Sequence, residues 1–300
     1  MSIWPNFFII GAAKSGTTSL YHYLKQHPQV FMSKIKEPRF FALEGHPLNF
    51  TGPDHERIRT GTTTELSDYL ELFREARGAI AIGEASTIYL NHERAPGAIA
   101  RRVPDARIVA VLRHPAERAF SAFQFELRDG REPLPAFEDA LEAEAQRVRD
   151  GWYMGSEYKG NGFYARSLNR YFDRFDPARI RVYLYEDLVE RPLWLLNDLF
   201  GFLGVDPRFT PDVSIRHNAS GRARSAGLQR WLTGRQPFKE ALKKAIPEQW
   251  GHRINSWAQS RNVVRSRLNP ETRLRLIRDY RDDIRSLQTL IGRDLSHWLA

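Results

Sequence analysis

Lys14 sits in a loop framed by Gly11 and Gly16, and the hydroxyls of Ser15, Thr17, Thr18 and Ser19 surround it. That set suits a phosphate. Glycine lets backbone close around an anion, the first turn of a helix presents unpaired N–H groups, and the ammonium supplies charge. In a Walker A loop the lysine directly follows the second glycine. Here Thr17 holds that place and the lysine has moved back into the loop. The displacement predicts a nucleotide with a short 5′ tail, one phosphate plus one transferable group. Arg113, at the end of a predicted strand, also suits a phosphate, since a guanidinium offers a planar fork of donors. Glu37 lies between Lys36 and Arg39, just ahead of Phe40 and Phe41. By residue type alone it is either a surface carboxylate paired with Lys34 or Arg39, or a general base kept ionised by its basic neighbours.

The elements that must position these groups alternate. Phe7 to Ile10 is a short apolar, aromatic and β-branched run, as in a buried parallel strand. The loop follows, then a helix that ends at His27-Pro28. Strands are predicted over Gln29 to Met32, Ala79 to Gly83, Arg107 to Leu112 and Ile180 to Tyr185. Helices are predicted over Asp68 to Ala76, after Pro115 at its first helical position, and over Ala136 to Arg149, Tyr164 to Phe175 and Leu193 to Leu203. Leu228 to Leu232, Phe238 to Ile246 and Glu271 to Ile291 make the C-terminal third helical. The fold expected is α/β: a P-loop-like three-layer fold with a central, mostly parallel sheet flanked by helices, residues 1–300 forming one domain. Such sheets bind ligands beyond the carboxyl ends of their strands, and Lys14, Glu84 and Arg113 all fall there. Residues 42–66 and 128–160 read as excursions around the mouth of the site.

The loop resembles the 5′-phosphosulfate loop of sulfotransferases that use 3′-phosphoadenosine-5′-phosphosulfate (PAPS). Lys34-Ile35-Lys36-Glu37-Pro38-Arg39-Phe40-Phe41 resembles the K-E-P-x-F-F element of bacterial and heparan sulfate sulfotransferases. Val109 to Ser121, with Arg113-His114-Pro115 and Arg118 inside it, is similar to the family's 3′-phosphate element, R-x-P-x-x-R-x-x-S. The resemblance implies that Glu37 is the general base and that Lys14 neutralises the leaving 5′-phosphate. It implies that Gly16, Thr17, Thr18 and Ser19, with Ser15, hold that phosphate. Arg113 and Ser121 would take the 3′-phosphate. His217 to Arg224 resembles a later loop that closes over the 3′-phosphate, which implies roles for Gly221 and Arg222. Glu84 to Tyr89 resembles an acceptor-facing E-K-[ST]-x-x-Y element, with Ala85 where the family has lysine. Glu84 and Ser86, with Arg39, are candidate acceptor contacts, and Glu84 and then His114 are the next candidates for the base. The activity implied is sulfuryl transfer from PAPS, releasing PAP, to a hydroxyl on a carbohydrate or small metabolite.

Bulk properties bound the alternatives. Three hundred residues at 42% hydrophobic content can fill one large core. The formal charge of +9 points to anionic partners, but basic residues such as Arg273, Arg275 and Arg278 are interleaved with acids, and no nucleic-acid motif is present. No run nears the ~20 apolar residues of a membrane span, the N-terminus lacks a signal peptide's pattern, and there is no cysteine. A cytoplasmic, reducing location is expected. The nine histidines show no metal-ligand spacing, so no metal is expected. Two other readings stay open. A P-loop kinase or NTPase is supported by the glycine loop and a Walker-B-like Glu186-Asp187. A non-catalytic nucleotide-binding module is supported by charge alone. The sequence names neither the acceptor nor an oligomeric state.

Overall fold

In a computed structural model, residues 2–53, 55–214 and 267–300 are described in full, and 222–223 and 263–264 by backbone alone. The sheet has five strands: β1 Phe7–Gly11, β2 Val30–Met32, β3 Ala81–Ala85, β4 Arg107–Leu112 and β5 Ile180–Leu184. They run in the order β2-β3-β1-β4-β5, every neighbouring pair parallel. This is the P-loop-like arrangement expected.

Alternation along β1 and β4 builds the layers. Phe8, Ile10, Ile108, Ala110 and Leu112 face one core. Phe7, Ile9, Val109 and Val111 face the other. Helices α1 (Thr17–Leu24) and α2 (Phe40–Leu43) come early, then α3 (His55–Thr60), α4 (Leu66–Glu71) and α5 (Ala95–Arg102). Next come α6 (Pro115–Arg128), α7 (Phe137–Arg149), α8 (Tyr164–Phe172), α9 (Tyr185–Glu190) and α10 (Pro192–Leu203), and α11 (Pro270–Ile291) is the C-terminal helix. Leu20 and Leu24 of α1 and Leu195, Leu196 and Leu199 of α10 fill the second core. The first core takes Ile99 of α5, Phe123 of α6, Leu168 and Tyr171 of α8, and Tyr280 and Ile284 of α11. Each fully buried Phe, Leu or Ile contributes about 1.5–3 kcal/mol relative to exposure, so burial on both faces anchors β1 between the layers.

Local signals set the helix ends. Pro115, Pro192 and Pro270 occupy first-turn positions, where a missing N–H costs nothing. Gly204 and Gly292 end α10 and α11 in the left-handed conformation. The Asn269 side chain accepts from Glu271 N at 2.8 Å to start α11.

Four sequence expectations shift. The third strand lies two residues later than expected, so Glu84 is inside β3 rather than beyond it. The 42–66 excursion contains the end of α2 and all of α3. The helix expected over Asp68 to Ala76 starts earlier and gives way to turns after Glu71. Glu186 and Asp187 open α9 rather than end β5. The helices expected at Leu228 to Leu232 and Phe238 to Ile246 lie outside the described residues.

Candidate active site

A cavity of about 1310 Å³ opens past the carboxyl ends of all five strands. Lys14 and Gly16–Ser19 follow β1. Lys36, Glu37 and Arg39 follow β2, and Thr87, Ile88 and Asn91 follow β3. Arg113 follows β4, and Tyr185 and Leu188 follow β5. The two excursions contribute Arg57 and, across the cavity, Tyr153, Met154 and Gly155. Lys14, Lys36, Arg39, Arg57, Arg113 and Arg118 line it against Glu37, Glu117 and Glu126, so the interior favours anions.

The glycine loop is built tightly. Gly16 caps α1 with φ 86°, and a Cβ there would stand 2.5 Å from Leu188 Cδ2. Lys14 itself takes φ 67°, which turns its side chain against Phe125. Its Nζ lies 3.9 Å from the centre of that ring. Burial lowers the Lys14 ammonium to about 7; Arg128 and Arg113 add to the effect, and Glu126 and Asp129 oppose it. Arg113 donates from Nη1 to Lys14 O at 3.3 Å and stacks 4.9 Å over the Tyr185 ring. Ser121 is buried one helical face away and lines the same cavity, with Phe125 one turn further along α6.

Glu37 also takes a left-handed conformation, φ 68°, and Arg39 another, φ 61°. The Glu37 carboxylate receives three donors. Lys36 Nζ reaches Oε1 at 2.8 Å, Thr87 N reaches Oε2 at 2.9 Å, and the Thr87 hydroxyl bridges both oxygens at 3.1 and 3.2 Å. A carboxylate has about four acceptor positions, so roughly one remains for another proton. Burial pushes the Glu37 carboxyl up, but the charges of Lys36 and Arg39 and the bonds from Lys36 and Thr87 outweigh it, and the net shift is downward. Glu37 is therefore ionised at neutral pH.

Other expected residues sit elsewhere. Ser15 is fully buried and not part of the cavity lining; its hydroxyl has no partner. Glu84 and Ser86 are fully buried beneath the cavity rather than in its wall. Glu84 accepts the hydroxyls of Tyr69 at 2.8 Å and Tyr89 at 2.9 Å on one oxygen and that of Ser86 at 2.9 Å on the other. With β3 shifted by two residues, the alternation of the strand turns Glu84 into the aromatic side of the core. His114 caps α6, its Nδ1 accepting from Ala116 N at 3.2 Å, and burial with Arg273 nearby lowers it to about 4. Gly221 lies outside the described residues, and Arg222 is described only as backbone paired with Val264. Among the described residues no group of His, Cys, Asp or Glu is arranged to hold a metal ion, and no helix is long and apolar enough to cross a membrane.

Sequence reasoning missed Thr87, Phe125, Tyr153 and Tyr185. Phe125 carried a signal: with Arg118 and Ser121 it falls on one helical face at i, i+3, i+7.

The sequence profile of the sulfotransferase family matches residues 5–211. Human bifunctional heparan sulfate N-deacetylase/N-sulfotransferase 3 is 26% identical over 210 residues, covering 68% of this chain and 23% of that protein. The chain thus spans less than a quarter of that relative. The crystal structure of a sulfotransferase from Alicyclobacillus acidocaldarius matches at 32% identity with a TM-score of 0.79, covering 99% of this chain and 100% of that one. The sulfotransferase domain from the curacin biosynthetic pathway matches at 15% identity with a TM-score of 0.50, covering 98% and 100%, which speaks to fold alone.

Proposed function

The chain belongs to the sulfotransferase family, and from that premise we propose that it moves a sulfuryl group from PAPS to a hydroxyl or amine acceptor. The observation that carries this is one cavity in which a lysine-bearing phosphate loop and an ionised, donor-clamped glutamate share the wall. PAPS, when bound, supplies a sulfuryl group joined through a bridging oxygen to a 5′-phosphate.

The residues present fit such a donor. Gly16 leaves no room for a Cβ beside Leu188, so the start of α1 packs directly on α9, and Lys14 and Arg113 meet at the same loop. Lys14 with Gly16, Thr17, Thr18 and Ser19 would hold the 5′-phosphate end. Arg113 and Ser121 would hold the 3′-phosphate, and Gly221 and Arg222 are further candidates by resemblance. Lys14, charged once a phosphate lies beside it, would stabilise the negative charge that grows on the leaving phosphate. Glu37 accepts the acceptor's proton on its remaining lone pair. Its lowered pKa keeps the proton-accepting form dominant at pH 7 at some cost in basicity. Arg39, Arg57 and Lys36 line the same end of the cavity, beside which an acceptor hydroxyl or amine would enter. The acceptor would be a carbohydrate or a hydroxylated small molecule; the human relative's name adds amines.

The test is a panel of alcohols and amines with isotope-labelled PAPS, read by mass, run with wild type and Glu37→Gln. Labelled product from wild type and a loss of about 10²–10⁴ in single-turnover rate for Glu37→Gln, with PAP affinity unchanged, is expected. Near-wild-type transfer by Glu37→Gln would sink the assignment of the base.

A further inference from the structure

Beside the hold of Lys36, a second hold on the Glu37 carboxylate comes from fifty positions away in the chain. Residues 37–39 contain two left-handed conformations at side-chain-bearing residues, Glu37 and Arg39, which are unfavourable unless surrounding structure enforces them. The end of β3 supplies that enforcement. Ala85 O accepts from Glu37 N at 2.9 Å. Ser86 Oγ accepts from Arg39 N at 3.0 Å and donates to buried Glu84. Thr87 then donates to Glu37 twice, through its N–H and its hydroxyl. The strand end is thus a template on which the loop after β2 is fastened, and Thr87 is the one residue of it that reaches the carboxylate and also lines the cavity.

We propose that Thr87 is a positioning residue for the transfer reaction. Its hydroxyl holds the Glu37 carboxylate in a single orientation and keeps it ionised. The proposal rests on the reading of Glu37 as the base. The other groups facing Glu37 are Lys36 and Arg39 from its own segment, Glu84 from beneath and Tyr153 from across the cavity. Lys36 and Arg39 favour the ionised form, and Glu84 when charged opposes it. None of them can replace a donor that spans both oxygens.

Thr87→Val keeps the shape and removes only the hydroxyl; Thr87→Ser restores it. The first readout is carbon-13 NMR titration of labelled glutamate side chains, with the Glu37 signal assigned by its loss in Glu37→Gln. It needs no acceptor. The Glu37 pKa should rise in Thr87→Val, which loses a donor to the ionised form, and return in Thr87→Ser. An unchanged titration overturns the proposal. The second readout is single-turnover transfer from PAPS to glucosamine tetrasaccharide, which offers hydroxyls and amines together. Thr87→Val should lose about tenfold or more in kcat, with the acid limb of its pH profile moved upward and PAP affinity unchanged. A loss confined to acceptor KM would make Thr87 an acceptor contact and overturn the positioning role. Full transfer by Thr87→Val beside an inactive Glu37→Gln overturns the clamp alone. Full transfer by Glu37→Gln refutes the base on which it rests.

Discussion

The Lys14 ammonium gives the site a built-in dependence of donor affinity on pH. Burial lowers it to about 7 in the absence of ligand, with Arg128 and Arg113 adding repulsion. Its seat 3.9 Å over Phe125 favours the cation, but does not offset the lost hydration. A phosphate placed beside it reverses the balance, so binding must draw a proton from solvent at any pH above 7. With a pKa of about 7 the loop lysine is roughly nine-tenths neutral at pH 8 and about 99% neutral at pH 9. The Kd for PAP should therefore rise about tenfold for each pH unit above 7. The second ionisation of a phosphate monoester lies near 6, below this window, so the ligand does not mimic the effect. Titration calorimetry at pH 7, 8 and 9, in buffers of different ionisation enthalpy, reads both affinity and proton uptake. Lys14→Met should bind PAP weakly with a flat profile across the window, and Lys14→Arg, whose guanidinium stays charged, should also be flat. A flat wild-type profile, or the same slope in Lys14→Met, would refute the reasoning.

Glu84 should give the fold a second pH dependence of known sign. Burial raises its carboxyl to about 7 despite the three hydroxyls that favour the ionised form. A folded-state pKa above the unfolded value stabilises the protein below about pH 4.5, and that stabilisation is lost as the pH climbs through 7. A rise of about 2.5 units corresponds to roughly 3 kcal/mol. Chemical denaturation at pH 5 and pH 8 should show it in wild type and not in Glu84→Gln; an equal pH difference in both proteins would contradict it. Gly16→Ala should weaken PAP by more than about tenfold and destabilise by roughly 1–2 kcal/mol, because φ is 86° and the new Cβ meets Leu188 at 2.5 Å. Unaltered calorimetry and melting temperature in that variant would count against the tight-loop argument.

The parts of the site that could be read from sequence are those made by local chain. A buried strand, a glycine turn and a helix start follow one another within fourteen residues of Phe7 to Leu20, and each has a composition of its own. Arg113, Pro115 and Ser121 lie likewise on one strand–helix junction. Glu84 was misplaced because Ala79 to Ile82 can begin a strand at either of two points, and a slip of two residues moves its end. The strand's alternation is unchanged by such a slip, yet Glu84 passes from a loop facing ligand to a strand facing core. Tyr89 stands five residues on in the same segment, but no local pattern aims its hydroxyl, or that of Tyr69, at this carboxylate. The bonds from Thr87 to Glu37 were invisible for the same reason, joining two ends of the crossover from β2 to β3.

The Glu186-Asp187 pair shows how a long-range partner decides between chemistries that a local motif leaves open. A glycine loop followed later by a strand and two acids is also what a Mg²⁺-dependent phosphoryl-transfer enzyme would carry. In the fold, Asp187 is buried, accepts Leu184 N at 2.9 Å, and meets Arg293 at 2.5 and 3.1 Å and Arg191 at 3.3 Å. Two guanidiniums already balance its charge, and Arg293 lies 106 positions along the chain. Turning that carboxylate toward a cation would break its pairs with both guanidiniums and its bond from Leu184 N. The same pair has a use where it stands. By capping α9 it fixes Tyr185 against Arg113 at 4.9 Å and Leu188 under Gly16. The acid that would argue for a kinase is therefore part of the wall that shapes the lysine loop, and charge at the proposed donor site falls to Lys14 and Arg113.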